Sequence, residues 1–192
     1  YIWYSLFSYF MKPHALVIGG TGMLKNVSLE LSRQGFVVSV VARGEENLFN
    51  LAKEAKKFGG KINTISCDYL NISQLIVKIK KVIEEFGNIS LAVVWIHSIA
   101  PNAPFEIAKI IGKLDKKCKF FHVLGSSYAD PSRKDKGFEN INTLKNINYY
   151  RIILGFVKEK NISRWLTNEE IANGVLEAIK QNKPELIVGT VR

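Results

Sequence analysis

A doubly wound α/β domain, in which a parallel sheet carries helices on both faces, is the fold class this sequence predicts. Three observations predict it. Short apolar, β-branched runs alternate with amphipathic stretches along the chain. The first run, Ala15-Leu16-Val17-Ile18, ends in Gly19-Gly20-Thr21-Gly22-Met23-Leu24 and passes directly into an amphipathic segment. The chain has 192 residues, enough for one domain with a sizeable core and cramped for two.

The elements follow in order. After the glycine turn, Met23 to Gln34 reads as a helix with Leu24, Val27 and Leu31 on one face and Gly35 as its stop. Phe36 to Val41 is continuous and β-branched, as in a strand covered on both faces. Glu45 to Phe58 is helical up to Gly59-Gly60, and Lys61 to Cys67 is the third strand. Asn71, with Gln74 three residues on, caps a helix that buries Leu75 or Ile76, Ile79, Val82 or Ile83, and Phe86, and stops at Gly87-Asn88. Leu91 to Ile96 is the fourth strand, and Asn102 with Pro104 opens a helix through Leu114. Lys119 to Leu124 is the fifth strand. Residues 126–148 are polar and weakly periodic, which predicts a short or irregular helix. Arg151 to Val157 reads as the sixth strand. Thr167 and Glu170 form a capping box for a last helix facing Ile171, Val175 and Ile179 inward, and Leu186 to Val188 is the final strand.

Composition narrows the setting. Hydrophobic residues make up 47% of the chain, and the mean hydropathy is +0.03. Cys67 and Cys118 have neither metal-ligand spacing nor a disulfide framework, which fits reduced thiols in the cytoplasm. The net charge is +10, but the lysines sit in small groups interleaved with apolar residues at helical spacing, without a stacking pattern of aromatics. They read as solvated helix faces, so no specific nucleic-acid binding is expected. Tyr1 to Phe10 is apolar, too short to span a bilayer as a helix, and lacks signal-peptide features. Residues 1–10 are read as a non-native or disordered leader and 11–192 as the domain.

In such a domain ligands bind beyond the carboxyl ends of the strands, where the strand order reverses. That rule gathers Gly19 to Leu24 after the first strand, Arg43 after the second, Asp68 and Tyr69 after the third, and His97 and Ser98 after the fourth. Ser126, Ser127 and Tyr128 follow the fifth, and Gly155 and Phe156 close the sixth. Tyr149 and Tyr150 precede that strand and fall at the opposite edge. A strand, a glycine turn and a helix start together make a phosphate site, because unpaired N–H groups and the positive helix end favour an anion.

These residues resemble the short-chain dehydrogenase/reductase superfamily over Lys12 to Val191. The glycine loop is similar to the G-x-x-G-x-x-G form of its atypical, NmrA-like members: Gly19 and Gly22 match, and Lys25 replaces the third glycine. That lysine is expected to lie between helix and strand or to point at the phosphates. The resemblance implies a Rossmann fold with the cofactor bound by Gly19, Gly20, Thr21, Gly22, Met23, Leu24, Arg43, Asp68, Tyr69, His97, Ser98, Gly155 and Phe156. Arg43 lies about 20 residues past the turn, where an acid would select NAD; a guanidinium there suits a 2′-phosphate, so NADP(H) is preferred over NAD(H).

The family's Tyr-x-x-x-Lys pair is missing. Tyr128 is followed four residues later by Ser132, and Tyr149 and Tyr150 by Ile153 and Leu154. His97, aided by Ser126 or Ser127, is the remaining candidate proton donor, its alternative being a mere hydrogen bond to a ribose hydroxyl. His122 reads as a satisfied core histidine, and His14 sits at the wrong edge. Two functions remain: an atypical NADPH-dependent oxidoreductase for a small carbonyl-type substrate, or a catalytically silent NADP(H)-binding sensor. No metal is expected. Substrate identity and homo-oligomerisation are left open.

Overall fold

The computed structural model describes residues 12–130, 138–159 and 162–191. The expected leader lies outside the described residues. The described residues form nine strands and five helices, which alternate as far as the fifth strand. They are β1 (His14–Ile18), α1 (Lys25–Arg33), β2 (Val37–Ala42), α2 (Glu45–Lys56), β3 (Lys61–Ser66), α3 (Ile72–Phe86), β4 (Ile89–Trp95) and α4 (Ala103–Ile111). There follow β5 (Cys118–Gly125), two 3₁₀ turns at Ser126–Ala129 and Glu139–Thr143, β6 (Ile147–Leu154), β7 (Phe156–Glu159), β8 (Ile162–Trp165), α5 (Asn168–Gln181) and β9 (Glu185–Val188). Seven strands form one parallel sheet in the order β3-β2-β1-β4-β5-β6-β9, and β7 and β8 pair separately. The doubly wound prediction holds.

The two faces of the sheet are covered differently. One core joins Val17, Val40, Val93, Phe121 and Ile152 to the apolar stripes of α1, α2 and α5. The other joins Leu16, Val41, Ala92 and Phe120 to α3 and α4, and then to Phe138 and Ile141 of the β5–β6 crossover. So three helices cover one face, and two helices plus a 3₁₀ segment cover the other. The irregular crossover was anticipated from its polar composition; residues 131–137, including Pro131 and Ser132, lie outside the described residues.

One expectation is corrected. The sixth strand is not Arg151 to Val157: β6 starts at Ile147, ends at Leu154, and Phe156 begins a hairpin. The break is at Gly155, where a Cβ would sit 2.3 Å from the Thr190 carbonyl oxygen. Phe156 and Thr190 exchange backbone hydrogen bonds of 3.0 and 2.8 Å, which turns the chain out of the sheet. Tyr149 and Tyr150 therefore lie inside β6, opposite Phe120 and Phe121, and do not precede it.

Candidate functional site

Register aligns the carboxyl ends. Ile18 pairs with Val41 and Val94, Val41 with Ile65, Trp95 with Val123, and Gly125 with Leu154. The segments after β1 to β6 therefore open along one edge, as the sequence predicts. α1 after β1 and α3 before β4 pack on opposite faces, so the crevice of the switch point lies between β1 and β4.

The glycine loop is shaped by close approach on one side and openness on the other. Gly19 has φ +82°, donates its N–H to the Val41 carbonyl at 3.0 Å, and a Cβ there would lie 3.1 Å from the Trp95 carbonyl oxygen. A Cβ on Gly20 would lie 2.7 Å from both Ser28 Oγ and a Val40 methyl. The Ser28 hydroxyl is placed to donate to the Gly20 and Leu24 carbonyls, each at 3.2 Å, so α1 is packed tightly on the loop. In front of Gly22 there is nothing within 4 Å of an added Cβ. Thr21 and Met23 are half-buried and Leu24 is buried.

α1 begins without help from side chains. Its N-cap is Leu24, no side chain caps it, and its first turn holds no acid. The Lys25 N–H donates to the Gly22 carbonyl at 2.9 Å, and the next N–H groups of the first turn have no intrahelical partner. Lys25, at the position of the third family glycine, neither lies between helix and strand nor points at the loop. Its ammonium pairs with Glu54 of α2 at 2.7 Å, on the flank of α1. That corrects the expectation for this side chain; a carboxylate one helix away gives it an outward exit.

The remaining residues fall into place one strand at a time. Arg43 is exposed and makes no ion pair with a described residue. Asp68 is half-buried, with Oδ1 accepting from the Leu70 N–H at 3.0 Å, and Tyr69 packs against the core. His97 and Ser98 are exposed; the His97 ring meets Trp95 edge-on, centroids 5.6 Å apart. Ser126 is half-buried and Ser127 exposed on the first 3₁₀ turn, which Arg151 anchors by donating from Nη2 to the Tyr128 carbonyl at 2.9 Å. Gly155 and Phe156 close β6 at its junction with the hairpin. No hydrogen bond joins His97 to Ser126 or Ser127 among the described residues. β4 and β5 bring these side chains to adjacent strand ends without linking them.

The other histidines are structural. His122 is 1% exposed and hydrogen-bonded to the Tyr149 hydroxyl at 3.0 Å. Burial, helped by the Arg151 charge, pushes it down to about 3. His14 is buried, donates from Nδ1 to the Gly87 carbonyl at 2.9 Å and pairs through Nε2 with the Ser39 hydroxyl at 2.8 Å. Burial also lowers its pKa. Both cysteines are buried and unpaired, and burial drives Cys118 up to about 12.

Sequence reasoning missed Trp95. It lies inside an otherwise aliphatic run, and only the strand pairing reveals that its carbonyl abuts Gly19 and its ring supports His97.

With this geometry in view, comparison with solved structures decides the fold. A variant of the actinorhodin polyketide ketoreductase, solved with NADPH, superposes over 93% of this chain and 96% of its own, with TM-score 0.68 and 16% identity. The chain has the fold of the short-chain dehydrogenase/reductase superfamily. A 7α-hydroxysteroid dehydrogenase, solved with NADH and 7-oxo glycochenodeoxycholic acid, matches this short-chain dehydrogenase fold over 93% of the chain and 92% of its own. Its TM-score is 0.71 and its identity 14%. A Streptomyces coelicolor protein named "Putative ketoacyl reductase" is 31% identical over 80 residues, 41% of this chain. The match spans 31% of that relative's length. No protein-family profile matches the chain. Among the described residues, no helix is long and apolar enough to cross a membrane.

Proposed function

We propose that the chain is an NADP(H)-binding oxidoreductase of the short-chain dehydrogenase type, acting on a small carbonyl-type substrate. The observation that supports this most is the opening beside β1. A glycine loop with free space before Gly22 and an uncapped helix start follow β1, and Arg43, which makes no ion pair with a described residue, follows the neighbouring β2 at the same edge. These groups fit a dinucleotide: the pyrophosphate over Gly19 to Leu24, a 2′-phosphate against Arg43, and the adenine beside Asp68 and Tyr69. His97 and Ser98 after β4, and Gly155 and Phe156 after β6, would border the ribose and nicotinamide.

When bound, the nicotinamide supplies or accepts a hydride. The chain itself must hold the proton that a developing alkoxide takes up. His97 is the group for this, exposed at a strand end and steadied by Trp95, with Ser126 or Ser127 on the next strand to polarise the carbonyl. The two unpaired thiols fit a cytoplasmic setting.

A second reading has its own support. Among the described residues the β5–β6 crossover holds only two 3₁₀ turns, and the sequence contains no Tyr-x-x-x-Lys. A silent NADP(H)-binding sensor is consistent with that. The two readings part under one experiment: NADPH and NADH titrated while thermal melting is followed, then NADPH oxidation over a panel of carbonyl, enone and quinone compounds. The dehydrogenase reading expects stabilisation by NADPH and turnover of a panel member. His97→Gln should bind NADPH normally and lose turnover ~10²–10⁴-fold. Stabilisation without turnover selects the sensor, and no stabilisation by either nucleotide overturns both.

A further inference from the structure

We infer that the cleft at the amino ends of β1, β4 and β5 binds a small organic phosphate monoester. The cleft holds about 400 Å³, within the range of small-molecule sites. It lies at the opposite edge of the sheet from the glycine loop, at the other end of β1, whose five residues span roughly 16 Å. Three neighbouring strands build it, in the order β1, β4, β5. Lys12 and Pro13 enter β1 on one side, Lys116 leads into β5 on the other, and Asn88 and Ser90 flank the first residue of β4 between them. Phe86, the last residue of α3, completes the wall.

Its charges are uncommitted and face one another. Lys12 and Lys116 are exposed and make no ion pair with a described residue. Neither sits in a helix and balances its negative end: Lys12 precedes β1, and Lys116 lies beyond the close of α4 at Ile111. β1 and β5 are two strand spacings apart, roughly 10 Å, so two long side chains on the rims can close on one group above Asn88. The Asn88 side-chain amide is half-buried and has no hydrogen bond with a described residue, which adds a third donor in the middle. The Lys61 ammonium, 4.7 Å from the centroid of the Phe86 ring, adds to the positive potential. Among the described residues no carboxylate lines the cleft; Glu84, Glu85 and Asp115, close by in sequence, are exposed and stay outside it. Two ammonium groups and an amide match one group with several acceptor oxygens and nearly two negative charges, which a phosphate monoester carries at neutral pH. A carboxylate would leave one ammonium unanswered. Phe86 and Pro13 give the organic part of the ester an apolar wall. A nucleic-acid strand calls for successive stacking platforms along a basic track, which one cleft does not provide.

The floor of the cleft is already built. His14 beneath it is tied through its ring to Gly87 and Ser39, and the Ser39 hydroxyl accepts a further bond from the Asn63 amide at 3.3 Å. The Ser90 hydroxyl donates to the His14 carbonyl at 3.1 Å, so it holds β4 to β1 and is not a ligand donor. The Phe86 ring meets His14 edge-on, centroids 5.7 Å apart. These contacts join β1, β2, β3 and the turn between α3 and β4 without a ligand, so binding has little left to order. None of these residues takes part in the dinucleotide reading. The site stands whether or not a nucleotide occupies the glycine loop.

The test is calorimetry on the full chain at low salt and about pH 8, with phenyl phosphate, phenyl sulfate and inorganic phosphate as probes. The two phenyl esters share a shape and differ by one charge. Wild type should bind phenyl phosphate about fivefold tighter than phenyl sulfate, and tighter than inorganic phosphate. Lys12→Ala and Lys116→Ala should each weaken phenyl phosphate about three- to fivefold. Asn88→Asp, which sets a like charge in the middle, should weaken it by about tenfold. Lys117→Ala, an exposed lysine outside the cleft, should bind as wild type does, and so should Gly22→Val. Because the lysines are exposed, the melting temperatures of their variants should stay at the wild-type value, which separates lost binding from lost folding. Equal binding of the two phenyl esters, wild-type affinity in Lys12→Ala and Lys116→Ala, or no binding of phenyl phosphate would overturn the site. A loss in Lys117→Ala as large as in Lys116→Ala would reduce it to diffuse surface attraction and overturn it as well. So would a loss in Gly22→Val, which would put the probe in the glycine loop, and inorganic phosphate binding as tightly as its phenyl ester would overturn the assignment to an organic monoester.

Discussion

Two helix starts in this molecule solve the same problem in opposite ways. At α5 the chain satisfies itself. Thr167 Oγ1 accepts from the Glu170 N–H at 3.2 Å, Glu170 Oε2 accepts from the Thr167 N–H at 2.8 Å, and Glu169 adds a second acid to the first turn. At α1 nothing comparable exists: no capping side chain, no first-turn acid, and a lysine turned outward to Glu54. α2 and α4 lack a capping side chain but carry acids in the first turn, and α3 is capped by Asn71. Among the described helices α1 alone has neither. The positive end that the chain leaves uncompensated is the one after β1, beside the switch point of the sheet. A helix end stabilised from within needs no ligand; one left open gains from an anion.

That contrast can be broken at α1. Gly22→Val should leave the ligand-free unfolding free energy within about 0.5 kcal/mol of wild type, because an added Cβ meets nothing. It should abolish stabilisation by NADPH, since the valine would occupy the space the pyrophosphate needs. An NADPH shift of wild-type size in this variant would remove the glycine loop from the reading. Next in size is Arg43→Ala. Loss of a charge-assisted pair to a partly exposed phosphate is worth ~1.5–3 kcal/mol, a roughly ten- to hundredfold loss for NADPH with NADH unaffected. Titration calorimetry with both nucleotides reads the difference, and equal wild-type affinities would sink the preference.

The smallest effect sharpens the other side. Thr167→Ala should cost ~1 kcal/mol in urea unfolding and leave nucleotide binding alone. Its partner gives a pH signature. Hydrogen bonding from Arg164, then from the Thr167 backbone, holds Glu170 at about 2 against an ordinary value of 4.5. A depressed carboxylate contributes stability above its unfolded pKa and loses it as acid reaches the folded one. Wild type should therefore lose this contribution from about pH 4.5 down to 2, and Glu170→Gln should lack that part of the slope. A variant with the wild-type acid profile would show that the Arg164–Glu170 pair contributes nothing.

Much of this was legible in the residues because it rests on local patterns. The alternation of apolar runs gave the sheet, and Thr167 with Glu170 gave the cap to the residue. Topology alone puts the loops after β1 to β6 at one edge. What escaped was decided by contacts distant in sequence. Arg151 to Val157 is apolar enough for one strand, and only the approach of Thr190 to Gly155 splits it. The sequence leaves Lys25 either between helix and strand or facing the phosphates, because Glu54 is invisible until α1 and α2 pack. The crevice wall at Trp95 depends on β4 lying beside β1, which no run of residues states.

The meeting of Gly155-Phe156 with Gly189-Thr190 has a mechanical consequence. Gly189 has φ +80°, and a Cβ there would sit 2.8 Å from the Phe156 carbonyl oxygen, so both partners of this seam are glycine-bound and backbone lies on backbone. Such a seam has no slack. The root of the hairpin cannot swing without dragging the stretch that follows β9, and a pull applied at Thr190 is delivered to Phe156 rather than absorbed by a loop. A spin label on Trp165 would then report the motion of β9 and the hairpin as one stiff body. A substitution as small as alanine at Gly155 would be felt at both ends of that body together.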